Sequence, residues 1–291
     1  MSFSRGAAGD GRGGACAAGV RVAVVRFPGV NCEEETRRAV LDAGAACDIV
    51  MWNEPDGVLG AYDAYVLPGG FSYQDRVRAG AIAAKDRVVG CLAEQAAAGK
   101  PVLGICNGAQ ILVEAGLVPG LTPGRVEMAL ARNAMPDRDG YYTRWTHLRV
   151  ESACSAASLA LAPGDVVPVP VAHAEGRFVS ATPGLVEELF ARGLAVMTYA
   201  TPDGARAERF PDVPNGSAMA LAAVSNPAGN VVAMMPHPER AVRLGHVPAN
   251  LAGTWGKRRR AARTAVAARE PGPGAPVVRS LVEFAARARV R

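Results

Sequence analysis

Short apolar runs alternate along the chain with stretches in which apolar residues recur every three or four positions. Residues 20–27 form a nearly unbroken apolar run, the pattern of a strand covered on both faces. Asn31 is then placed to cap a helix whose first turn carries Glu33, Glu34 and Glu35, with Gly44 at its end. Residues 47–51 and 64–67 predict two more strands, the second closing on Pro68-Gly69-Gly70. Val77, Ala81, Ala84, Val88 and Leu92 share a helical face, closed by Gly99. Residues 102–105 predict a strand running into a helix that opens at Cys106 and ends near Gly116. Alternation of this kind predicts an α/β fold: a doubly wound, mostly parallel sheet with helices on both faces.

From residue 125 the pattern changes. Short strand-like pieces at 126–130, 145–150 and 166–171 lie between polar loops, which predicts an antiparallel extension of the sheet edge. Residues 186–190 read as a helix, and 195–199 and 219–225 as strands. Residues 229–235 are the last strand, running into Pro236-His237-Pro238-Glu239. The organisation expected is a flexible tail at 1–19 and one domain at 20–246. A basic, Pro/Gly-rich insert follows at 247–276, then a C-terminal helix at 277–291 that packs on the domain.

Composition narrows the function classes. The 291 residues are 49% hydrophobic, enough for one large domain. No apolar run reaches membrane-spanning length, and the first twenty residues lack the compact apolar core of a secretion signal. The six cysteines are scattered without a C-x-x-C pair, and the four histidines show no metal-ligand spacing with them. A cytoplasmic, reduced protein without a metal site is expected. The net charge of +5 is uneven: residues 247–291 hold ten Lys and Arg against two acids, and the rest holds 22 against 25. Nucleic acid is therefore not an expected partner of the body of the protein. Lys257-Arg258-Arg259-Arg260 reads as a solvated loop, and 270–276 as a linker.

The chemistry centres on Cys106, with Gly104 two residues before it and Gly108 two after. This is the cysteine form of a nucleophile elbow. A sharp strand-to-helix turn crowds its neighbours, so residues without Cβ are needed beside the nucleophile. The helix N-terminus favours the thiolate, and the N–H of Asn107 faces the same place. The Gly69-Gly70 corner can bring further N–H groups to a ligand. His237 and Glu239, two apart in an extended stretch held by prolines, point the same way. A histidine steered by a carboxylate is what a thiol nucleophile needs. Asn31, Gly69, Gly70 and Cys106 all fall at carboxyl ends of predicted strands, where parallel α/β sheets bind their ligands. His173, in the polar loop 171–178, is a candidate ligand group.

The stretches FPGVNCEEET (27–36), LPGGFSYQDRVRAGAIAAKD (67–86), VLGICNGAQIL (102–112), PVAHAEGRF (170–178), VPNGS (213–217) and GNVVAMMPHPERA (229–241) carry a resemblance. The chain resembles the class I glutamine amidotransferases, and among them the amidotransferase subunits of phosphoribosylformylglycinamidine synthase, over about residues 20–245. The resemblance implies a Cys106–His237–Glu239 triad. It also implies an oxyanion hole from Gly70 or its neighbours and Asn107, a substrate contact at Gln110, and a His173 loop bordering the glutamine site. It implies glutamine as substrate, a synthetase subunit as ammonia acceptor with a small bridging subunit, and no cofactor in this chain. ATP and Mg are implied on the synthetase; a G-x-x-x-x-G-K-[ST] signature is absent here. Gln74 and Arg76 depart from the family's usual Gly and aromatic residue in the loop over the pocket. Two other readings stay open from the sequence: another class I amidotransferase or γ-glutamyl cysteine hydrolase, and a non-catalytic glutamine-binding scaffold.

Overall fold

The structure, a computed structural model, describes residues 19–55 and 57–290; the tail expected at 1–19 lies outside the described residues except for Gly19. In chain order the elements are β1 (Arg21–Arg26), α1 (Glu33–Asp42), β2 (Ala46–Met51), β3 (Ala64–Leu67), α2 (Arg87–Ala97), β4 (Val102–Ile105) and α3 (Asn107–Glu114). There follow β5 (Ala129–Ala131), β6 (Tyr142–Val150), β7 (Val166–His173), β8 (Arg177–Val179), α4 (Leu185–Ala191), β9 (Ala195–Ala200), β10 (Leu221–Ser225) and β11 (Val231–Met234). The chain ends in α5 (Thr254–Ala261), α6 (Ala265–Ala268) and α7 (Ala275–Ala288).

Nine strands form one sheet in the order β2-β1-β3-β4-β11-β10-β9-β6-β7, and β5 pairs with β8 in a second, small one. The first five are parallel, and β10, β9, β6 and β7 continue antiparallel. This is the doubly wound sheet with an antiparallel extension that the pattern predicted. Every residue of β3, β4, β10 and β11 is buried, so these strands carry apolar residues without alternation.

The antiparallel half has an overhang. Strand β6 pairs with β9 only through His147–Val150 but with β7 through Tyr142–Arg149. The far part of the β6–β7 ribbon therefore leaves the sheet as a two-stranded arm. It returns over the rim where the parallel strands end, where the N–H of His237 donates to the carbonyl of Pro170 at 2.8 Å.

Three local expectations are corrected. The face at 77–92 forms an α-helix only from Arg87, after a 3-10 turn at Ala83–Lys85; Val77 takes a left-handed φ of 73°, as do Tyr73, Gln74 and Asp75 just before it, at 54°, 60° and 53°. Tertiary bonds override the spacing there. The Ser72 N–H donates to Asn107 Oδ1, the Ala79 N–H donates to Glu175 Oε2, and Arg78 pairs with Glu114. Asn31 does not cap α1, because its side-chain oxygen accepts from the Cys32 thiol at 3.2 Å and Cys32 occupies the cap position. The 257–260 cluster lies on helix α5 rather than in a loop.

Candidate active site

Four parallel strands, β1, β3, β4 and β11, end at one rim, and each delivers a segment to it. Strand β4 delivers Cys106, whose φ of 52° and ψ of −103° are the strained backbone of an elbow. Gly108 is what lets α3 turn so sharply behind it: a Cβ there would stand 1.9 Å from the carbonyl oxygen of Leu67. The N–H of Asn107, first residue of α3, has no acceptor within the helix.

Strand β3 delivers Gly69 and Gly70. A Cβ on Gly69 would lie 2.7 Å from Cε1 of His237, so the corner can pack flat against that ring only as glycine. The bridge between Val30 and Gly70 is made by neighbouring groups, Phe71 N–H to Gly29 O at 3.0 Å and Asn31 N–H to Gly69 O at 3.4 Å. The N–H of Gly70 stays outside that bridge, and Gly70 lines one pocket with Cys106.

Strand β11 delivers His237 and, in the 3-10 turn Pro238–Ala241, Glu239. Nδ1 of His237 lies 2.5 Å from Oε1 of Glu239, and each residue is 2% exposed. Burial opposes a charge on this imidazole. The Glu239 carboxylate, then the neighbouring thiols of Cys106 and Cys32, outweigh it and hold the ring protonated well above its usual range. Nε2 has no conventional hydrogen-bond partner in this resting arrangement, a looseness common before substrate binds.

Strand β1 delivers a group the sequence reading missed. Cys32 is buried against the same imidazole, and its sulfur accepts from Nη2 of Arg240 at 3.0 Å. Arg240 pairs with Glu35 at 2.6 Å and stands 4.0 Å from Glu239. Donor atoms of Cys32, His237 and Glu239 lie within 4.8 Å of one another, a spacing that could hold a metal ion. The guanidinium against the sulfur already fills the cation's role there and would repel a second positive charge.

The overhanging arm closes the other side. The Cys106 thiol donates to the carbonyl of Ala172 at 3.6 Å. His173, at the end of β7, is buried with Nδ1 3.0 Å from Asn133 Oδ1; burial, then the charge of His237, lowers its pKa to about 3, so it is neutral. Gln110 is also at the pocket, but its polar atoms are engaged: it accepts from Asn107 Nδ2 at 2.9 Å and donates to the Glu175 carbonyl at 2.6 Å. Asp75 and Glu175 bring two carboxylates to the pocket wall. Burial, and then Glu175, push the Asp75 carboxyl up to about 6. The cavity before Cys106 is only about 70 Å³, and Phe71 and Tyr141 line it with ring centroids 6.2 Å apart.

The structure thus brings Cys106, His237, Glu239, Gly69, Gly70, Asn107, Gln110 and His173 to one place. Cys32, Asp75, Glu175 and Arg240 join them unannounced, although each lies inside a stretch that carried the resemblance.

An elbow cysteine and a buried imidazole–carboxylate pair at the rim of a doubly wound sheet point to the cysteine-dependent amidotransferase class. Residues 19–264 match the CobB/CobQ-like glutamine amidotransferase domain. Phosphoribosylformylglycinamidine synthase subunit PurQ of Methanothrix thermoacetophila is 47% identical over 237 residues, 79% of this chain and 89% of its own. PurQ of Pyrococcus furiosus is 41% identical over 222 residues, 76% of this chain and 89% of its own. The structure of PurLQS from Thermotoga maritima contains a chain that superposes with a TM-score of 0.66 at 28% identity, covering 91% of this chain and 98% of that one. The chain belongs to the CobB/CobQ-like glutamine amidotransferase family and, within it, to the PurQ subunits of phosphoribosylformylglycinamidine synthase.

Proposed function

We propose that this chain hydrolyses glutamine and hands the ammonia to a synthetase subunit, for the ATP-dependent conversion of phosphoribosylformylglycinamide to phosphoribosylformylglycinamidine in purine biosynthesis. The observation that carries the reading is the meeting of Cys106, His237 and Glu239 at one rim, with Gly70 lining the same pocket as the sulfur. The Cys106 thiolate attacks the side-chain carboxamide carbon, and the N–H groups of Gly70 and Asn107 receive the oxyanion. His237 gives its proton to the departing amide nitrogen, and ammonia leaves. A glutamyl thioester remains. Water attacks it as His237 takes back a proton, the thiolate departs, and glutamate is released. Glu239 orients the imidazole and stabilises its charge throughout.

Asp75 and Glu175 suit the α-ammonium group of the substrate, since two carboxylates drawn together at a half-buried wall attract a cation. A cavity of about 70 Å³ is far below the several hundred Å³ usual for ligand sites. Phe71 and Tyr141 therefore part to admit glutamine, and the isolated subunit is a weak glutaminase until a synthetase subunit docks. The ATP and Mg consumed in the reaction belong to that partner, and a small bridging subunit completes the assembly. No helix of the described residues is long and apolar enough to cross a membrane.

The test is Cys106→Ala in the reconstituted complex. Glutamine-dependent synthesis should vanish while synthesis from ammonium salts persists. Survival of the glutamine-dependent reaction would refute the reading.

A further inference from the structure

The segment 270–276, with a linker's composition, is packed behind the turn that carries His237 and Glu239. The N–H groups of Gly272 and Gly274 donate to the carbonyls of Val242 and Ala241 at 2.8 and 2.9 Å. A Cβ on Gly274 would stand 2.1 Å from the Pro238 carbonyl oxygen, so the contact admits only glycine. Between this segment, the end of α1 and helix α5 lies a groove of about 810 Å³.

Its lining holds four guanidinium groups, of Arg243, Arg258, Arg269 and Arg279. Arg243 is satisfied by both oxygens of Asp42, at 2.7 and 2.8 Å. Arg258 and Arg279 have carboxylates only at 3.6 Å, those of Glu270 and Glu283. Exposed pairs that long hold their partners weakly. Among the described residues Arg269 has no ionic or hydrogen-bonding side-chain partner. Three arginines thus stand around one groove with little to neutralise them. The same lining carries the indole of Trp255, with Arg258 stacked 4.4 Å from the ring centroid, and the small apolar side chains of Ala39 and Ala43.

We propose that this groove binds a nucleotide, with its phosphates on Arg258, Arg269 and Arg279 and its base against Trp255. Guanidinium forks match phosphate oxygens in pairs, and an indole beside them offers a flat ring a stacking surface. The volume lies in the range of small-molecule sites. An acidic peptide would use the arginines but leave the indole and the apolar wall unmatched. The site is separate from the glutamine chemistry, and its measurement needs no glutaminase activity.

The test is calorimetric titration of the full chain with ATP, tripolyphosphate, adenosine, hexaglutamate and a short single-stranded oligonucleotide. ATP should bind at one site per chain and more tightly than any other probe. The double substitution Arg269→Ala with Arg279→Ala should weaken ATP by at least about tenfold at constant ionic strength, and Arg269→Lys with Arg279→Lys should restore part of the loss. Trp255→Ala should weaken ATP while leaving tripolyphosphate unchanged. Both arginines are exposed, so unaltered melting curves should accompany the loss. Absence of ATP binding, affinity no better than that of tripolyphosphate, affinity unmoved by the double substitution, or tighter binding of the peptide or oligonucleotide would each overturn the proposal.

Discussion

The two halves of the sheet meet at the same sulfur but bring different things to it. The parallel half ends in the groups proposed to react: Cys106 from β4, the Gly69-Gly70 corner from β3, and His237 with Glu239 from β11. The antiparallel half sends its overhanging arm across the rim and supplies Ala172, His173 and Glu175 on the pocket wall. Parallel strands end side by side with their carbonyl ends together, so adjacent turns converge without further device. The arm lies on the sheet's last two strands and reaches the site only because β6 outruns its pairing with β9. The proposed chemistry thus sits on the parallel half of the sheet, and the proposed substrate contacts on an arm and a strained loop.

That division can be broken by experiment. Its largest expected effect is at the rim: His237→Ala should lower kcat for glutamine hydrolysis in the complex by about 10³-fold or more, with ammonium-dependent synthesis retained. Glu239→Gln should follow, at roughly 10²–10³ in kcat with KM for glutamine little changed, because it removes the orienting charge and spares the pocket. A rise in KM as large as the fall in kcat would place Glu239 in recognition instead.

On the wall the effect should reverse. Asp75→Asn should raise KM for glutamine about tenfold, the equivalent of one lost charged contact, with kcat nearly intact. The pH dependence sharpens this. The Asp75 carboxyl is raised from 3.8 to about 6, so the stability it contributes is present below about 3.8 and is lost as pH rises through about 6. An ammonium group needs the ionised form. KM should therefore fall as pH rises through about 6, and Asp75→Asn should flatten that profile. Steady-state kinetics between pH 5 and 8 would contradict the assignment if wild type and variant moved in parallel.

The smallest effect belongs to the strained loop. Gln74 holds a left-handed φ of 60°, where the family's usual glycine meets no Cβ penalty. Gln74→Gly should stabilise the chain by about 1 kcal/mol in urea unfolding. Lost stability there would mean that the Gln74 side chain, which accepts from Arg76 at 3.1 Å, outweighs the backbone strain.

The site was legible where its cause is local. The elbow at Cys106 announces itself because a tight turn demands glycines at fixed offsets, and Gly108 meets the Leu67 carbonyl as that demand implies. His237 and Glu239 are two residues apart, so strand geometry alone aligns them. Cys32 and Arg240 are 208 residues apart, and no periodicity connects them. The 77–92 segment misled for the same reason: its spacing suits a helix, but the Arg78–Glu114 pair and the Ala79 N–H bond to Glu175 hold its first part in turns around the pocket.

What the sequence by itself determined is the parallel sheet, the antiparallel continuation and the elbow and His-x-Glu motifs that meet at its rim, because apolar runs and turn residues act over a few positions. What only the tertiary structure decided is the company those groups keep: the guanidinium beside Glu239, the carboxylate pair of Asp75 and Glu175, and the brace of 271–274 behind the catalytic turn. Those depend on how far a ribbon overhangs and which loops it meets. Such distances are fixed by packing among residues far apart in the chain, where local pattern carries no record of them.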